Sequence, residues 1–192
     1  MRPIFFAVAI TAVVSVSACA PNASDSVIRP GGTDGSTASA QPALPEVSNA
    51  DVTFAQGMLP HHVQGVQLAT LALTNVTDPD VRALAQRIIE SQSAEQKFLQ
   101  TWLSSVSPEM LTGHEHAMAG MLTPTQLSNF STLAGEAARS EFLSLMTAHH
   151  QGAIDMANAR LREAGSGTIT TLARSVIAEQ TAEIARMAEL SK

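Results

Sequence analysis

All six histidines of the 192-residue chain fall in three pairs, and each pair lies close to methionine. His61 and His62 follow Met58, His149 and His150 follow Met146, and His114 and His116 precede Met118 and Met121. On a helix, a methionine three or four residues before a histidine shares its face. Imidazole and thioether together suit copper, and sulfur favours Cu(I). The candidate ligands are therefore Met58, His61, His62, His114, His116, Met118, Met121, Met146, His149 and His150. Hydrolytic chemistry has no support, because no Gly-x-Ser-x-Gly elbow is present and the single cysteine lies near the N terminus.

Two of the pairs head matching segments. Adding 88 to the residue number maps Phe54 to Phe142, Met58 to Met146, His61 to His149 and His62 to His150. The same shift maps Val81 to Ile169, Leu84 to Leu172, Gln92 to Gln180, Glu95 to Glu183 and Leu99 to Met187. A gapless match over about 50 residues indicates internal duplication.

Each repeat unit reads as two helices. The first runs from about Asp51 to Thr74, and the second starts at Asp78-Pro79, an N-cap followed by proline, and runs to about Ser104. Ala55, Met58, His62, Gly65, Ala69 and Ala72 form one stripe. Val81, Ala85, Ile88, Gln92, Glu95, Leu99 and Trp102 form the stripe that faces it. The copies are Leu143 to Arg160 and Ile169 to Leu190. A turn centred near Thr77 sets His62 opposite Gln92 and Met58 near Glu95. A turn centred near Gly165 sets His150 opposite Gln180 and Met146 near Glu183. Between the units, Ser107-Pro108-Glu109 starts a short helical turn. Thr123-Pro124-Thr125-Gln126 is a capping box that leads into the second unit with a kink near Gly135. Two antiparallel hairpins give an all-α, ferritin-like four-helix bundle.

Two readings of the polar stripe positions stand side by side. The layer binds metal, with Gln92, Glu95, Gln180 and Glu183 orienting the ligands. Alternatively the chain is a metal-free structural or interaction module, its histidines tied to Gln and Glu to fix register. A ferritin-like di-metal redox enzyme is a weaker third reading, since no Glu-x-x-His occurs. His114-Glu-His116-Ala-Met118 is short and Gly-flanked, so packing alone gives no reason for its composition.

The N terminus sets the compartment. Residues 1–18 read as a signal peptide whose apolar run of about a dozen residues is too short to span a membrane. Val16-Ser17-Ala18-Cys19 resembles a lipobox, so Cys19 is the expected lipid attachment site. Residues 19–49 are a Gly/Ser/Thr-rich tether, and residues 50–192 are the domain. The expected location is extracytoplasmic, lipid-anchored to the bacterial cell membrane. A net charge of −6 without basic clusters argues against nucleic acid.

At these residues the chain resembles the DUF305 family of small bacterial extracytoplasmic proteins. The resemblance rests on Asp51-x-x-Phe54-x-x-x-Met58-x-x-His61-His62 and on Phe142-Leu-x-x-Met146-x-x-His149-His150-x-Gly-Ala-Ile154-x-Met156-Ala157. Gln92-x-x-Glu95, Gln180-x-x-Glu183-Ile184-x-x-Met187 and His116-Ala-Met118-Ala-Gly-Met121 match as well. It implies a four-helix bundle and, in some members, copper binding or copper resistance. Two positions depart from the pattern: Arg139 stands where Asp51 stands in unit one, and Leu190 stands where an aromatic is expected. If Asp51 orients a ligand, the second site lacks that help. The function expected is copper buffering, sequestration or transfer without turnover, with a copper-donor or copper-acceptor protein as partner.

Overall fold

The computed structural model describes residues 47–106 and 118–192. The described residues are all-helical: α1 (Asn49–Asn75), α2 (Pro79–Val106), α3 (Pro124–Ser131), α4 (Gly135–Leu161) and α5 (Gly167–Leu190). The signal segment, Cys19, Ser107-Pro108-Glu109, His114 and His116 lie outside the described residues.

Local chemistry sets the helix ends. Ser48 caps α1 in a reciprocal box with Asp51, and Thr123 does the same for α3 with Gln126. The Asp78 carboxylate accepts from the N–H groups of Asp80 and Val81 at the start of α2. The chain does not kink near Gly135. It breaks after Ser131 and restarts at Gly135, whose φ of 58° turns it into α4.

α1 packs along α2, and α4 along α5, giving the two hairpins; α1 and α4 join them at the centre. The stripes read from the sequence are the buried faces. Ala55, Met58, His62, Gly65, Ala69 and Ala72 are all buried, as are Leu143, Met146, His150, Ala153, Ala157 and Arg160. Because α1 and α4 are central, each buries a second face too, which carries Phe54, His61 and Leu68 on α1 and Phe142 and His149 on α4.

The core is two apolar clusters. One holds Leu68, Ala72, Val81, Leu84, Phe130, Phe142, Met146 and Met187. The other holds Phe54, Met58, Leu99, Leu103, Ala157, Ile169 and Val176. α1 contributes its C-terminal half to the first and its N-terminal half to the second, and α4 does the reverse. A polar layer of His61, His62, Gln92, His149, His150 and Gln180 lies in sequence between these halves and is fully buried. No described helix is long and apolar enough to cross a membrane.

Candidate metal centre

The four core histidines are completely buried. His62 and His150 occupy equivalent places in the two hairpins. The His62 Nε2–H donates to Glu95 Oε2 at 2.6 Å, and the His150 Nε2–H donates to Glu183 Oε2 at 2.7 Å. The helix-pair geometry therefore differs by one turn from the expected register, which set each histidine against glutamine. Side chains lean toward the N terminus of their own helix. In an antiparallel hairpin the α1 side chain leans away from the loop and the α2 side chain toward it. His62 thus meets Glu95, a turn beyond Gln92. Gln92 instead approaches Gly65, where a Cβ would lie 2.2 Å from Gln92 Oε1 and 2.9 Å from His149 Cε1. That glycine lets α1 lie against both neighbours.

His61 and His149 meet across the α1–α4 contact, their ring centroids 3.9 Å apart and tilted by 35°. The His149 Nε2–H donates to the His61 carbonyl at 3.0 Å, and the His61 Nε2–H donates to the Ala119 carbonyl at 3.1 Å. A carbonyl can only accept, so both rings carry their proton on Nε2. Burial first, and then the His62 ring, lowers the His61 pKa to about 4. Burial first, and then the His61 ring, lowers that of His149 to about 2. Both rings are therefore neutral at physiological pH.

All four Nδ1 atoms are buried without a hydrogen-bond partner, as are both side-chain polar atoms of Gln92 and of Gln180. A metal-binding histidine characteristically has one ring nitrogen held by a carboxylate or carbonyl and the other presented to the ion. That is the arrangement at His61, His62, His149 and His150. The donor set fits a soft or borderline ion of the copper type. Among the described residues, no three His, Cys, Asp or Glu side chains are grouped to enclose one. Met58 and Met146 are fully buried in the two different apolar clusters, on the helices that carry the histidines.

Asp51 has a different place. Its carboxylate accepts from the Ser48 N–H at 2.8 Å, the Ser166 N–H at 2.9 Å and Arg160 Nε at 2.7 Å, and Arg160 Nη2 pairs with it as well. Asp51 lies ten residues before His61, about 15 Å along the helix, so it latches the bundle end instead of orienting a histidine. Burial alone would raise its pKa, but the bonds from Ser166, Ser48 and Arg160 hold it below the ordinary value. Arg139, its counterpart in unit two, pairs with Asp78 at 3.0 Å and donates to the Leu190 carbonyl. Asp78 and Ser166 are also counterparts, so both latches reach the N-terminus of the other hairpin's second helix, while the position that is acidic in Asp51 is basic in Arg139.

Three contributors were not singled out as site residues from the sequence. The Ala119 carbonyl fixes the His61 tautomer, although backbone acceptors carry no sequence signal. Gln64 clasps Leu122 by two hydrogen bonds. Met156 packs with Met118 around Gly57, where a Cβ would lie 2.9 Å from Met156 Cε and 3.3 Å from Met118 Sδ. Met156 stands in the second His-pair signature and could have been found there. Met118 and Met121 are half-buried.

The sequence profile of the DUF305 family, a domain of unknown function, matches residues 51–191. The chain belongs to the DUF305 family. A DUF305 protein of Streptomyces coelicolor designated as secreted is 32% identical, with a TM-score of 0.66 over 73% of this chain and 91% of that one. A DUF305 fragment from Deinococcus radiodurans is 30% identical, with a TM-score of 0.67 over 77% of this chain and 98% of that one. CopM in its Cu(I)-bound form is 28% identical, with a TM-score of 0.63 over 72% of this chain and 93% of that one. CopM is also known in Cu(II)-bound and Ag-bound forms. No curated protein matches the chain.

Proposed function

We propose that this DUF305 protein is a lipid-anchored, extracytoplasmic copper-binding protein that buffers, sequesters or hands on copper through His and Met ligands, without turnover. One observation carries the reading: four buried imidazoles each have Nε2 held by an oxygen and Nδ1 left open. The copper- and silver-bound forms of CopM support it from outside the chain. His114, His116, Met118 and Met121 are the candidate exchange ligands, and a copper-donor or copper-acceptor protein is the natural partner. Copper, when bound, supplies a soft acceptor for the imidazole lone pairs. The chain's own work is to fix tautomers, keep the His61 and His149 rings neutral and exclude water.

A metal-free structural module is the second reading. It is favoured by the His62–Glu95 and His150–Glu183 pairs, which are satisfied polar contacts in their own right.

The test is titration of the C19S chain with Cu(I) against a competing chelator. The expected result is withdrawal of copper from the chelator. A chain that takes up none refutes the copper reading. Replacing His61 and His149 in one variant, and His114 and His116 in another, tells which cluster holds the ion. Loss of labelled-lipid incorporation in C19S checks the anchor.

A further inference from the structure

The backbone from Met118 to Leu122 lies directly on the two helical turns that carry the stacked histidines. Ala119 accepts the His61 Nε2–H. Gln64, one turn further along α1, donates from Nε2 to the Leu122 carbonyl at 2.9 Å and accepts the Leu122 N–H at 2.6 Å. Gly120 has φ 78°, and a Cβ there would lie 2.7 Å from the Ala148 carbonyl oxygen and 2.9 Å from that of His149. A Cβ on Gly152 would lie 2.1 Å from the Ala119 carbonyl oxygen. Two glycines thus allow this strap to seat on α4. Among the described residues, it is the only non-helical backbone hydrogen-bonded to a buried histidine.

We infer that residues 118–122 are a gate over the His61–His149 pair, and that release of the strap is the route by which a soft cation reaches their open Nδ1 atoms. The inference rests on the copper reading above for the identity of the cation, but not for the access it describes. Both rings are fully buried, so something must move before either can be reached. Parting α1 from α4 would expose both apolar clusters. Lifting the strap breaks the three hydrogen bonds named above and exposes chiefly Leu122. Openings that break few contacts are the ones a folded protein samples. The gate also reads the state of the site. Closed, it accepts the hydrogen bond from the His61 Nε2–H and so keeps Nδ1 a lone-pair donor. A cation on Nδ1 would make Nε2–H a stronger donor to Ala119, so the bound ion and the closed strap favour each other.

The test uses G152A and Q64A in the C19S chain, with helical content checked by circular dichroism. The added methyl of G152A displaces Ala119, whereas Q64A removes the clasp with no steric change, so either variant can stand alone if the other fails to fold. Three quantities are read: amide exchange at Met121 and Leu122, carbethoxylation of each histidine by diethyl pyrocarbonate, and the rate of Cu(I) uptake from a chelator. The expected result is exchange, His61 and His149 modification, and copper uptake each faster by about tenfold, the loss of one or two ordinary hydrogen bonds. His62 and His150, held by Glu95 and Glu183, stay as slow as in the parent chain. Copper loading of the parent slows exchange at Leu122. If the strap amides exchange faster while His61 and His149 react no faster, or while copper enters no faster, the gate is overturned. If the rings become reactive and no form binds copper, the copper reading fails and the gate stands.

Discussion

The two histidines of each pair do different work. His62 and His150 face the partner helix of their own hairpin and are held by carboxylates, whereas His61 and His149 meet at the centre and are held by carbonyls. The central rings have strongly lowered pKa values, because they are buried and face other imidazoles. Their burial has a measurable consequence for the metal-free protein. The unfolded chain binds a proton on each of these histidines below about the ordinary value of 6.5, while the folded chain holds His61 neutral to about 4 and His149 to about 2. The unfolded state therefore gains protons first, and stability is full above pH 6.5 and falls as the pH drops toward 4. The slope is about 1.4 kcal/mol per pH unit for each histidine. Urea unfolding between pH 7 and 4.5 should show it, and H149Q should remove one histidine's share. A flat profile over that range would mean that the two rings are not buried neutral. Glu95 offers a second check at this scale. E95A leaves the buried His62 Nε2–H without its acceptor and should cost about 1–3 kcal/mol, seen as a lower urea midpoint. E183A should match it, since the two hairpins place the pair alike.

At the scale of elements, the bundle ends are closed by two latches built on one repeated position, acidic as Asp51 and basic as Arg139. At one end Asp51 on α1 reaches Arg160 on α4 and the N-terminus of α5 at Ser166. At the other, Arg139 on α4 reaches Asp78 at the N-terminus of α2. The first latch is buried: the Arg160 and Asp51 side chains are 1% and 0% exposed, against 19% and 30% for Arg139 and Asp78. Breaking a buried pair from one side leaves an uncompensated charge, so D51N should lower stability by about 3–5 kcal/mol. R139Q should lower it far less, because water screens the second pair. Chemical denaturation of the two variants ranks them, and an equal loss would show that burial does not decide the matter. Read in register with Asp51, Arg139 is the residue that deprives a second ligand site of its acidic helper. Spatially it is a substitution compensated across hairpins, which a comparison of repeats in register cannot see.

For the whole molecule, the legible part was what periodicity and duplication encode. The stripes, the two hairpins and the capping at Asp78 and Thr123 are local patterns, and local patterns survive into the fold. The face joining the hairpins was not legible. His61 and His149 fall off the hairpin stripes, and only the antiparallel contact of α1 and α4 brings the shifted copies together at 3.9 Å. The strap was illegible for the same reason, because Gln64 and Gly152 look like ordinary helix positions until a loop is laid on them. This arrangement makes a prediction for the molecule as a unit. If the central layer takes a soft ion, binding ties the two hairpins together and must stabilise the whole fold against unfolding. Silver is a redox-silent probe for it. At about one hundred times its dissociation constant, a ligand specific to the folded state adds about 2.7 kcal/mol. For a domain of this size that is a rise of roughly 5–10 °C in the unfolding midpoint. Differential scanning calorimetry of the C19S chain should show the rise. H61N/H149N should abolish it while retaining a cooperative transition. Equal stabilisation in the double variant would place the ion away from His61 and His149.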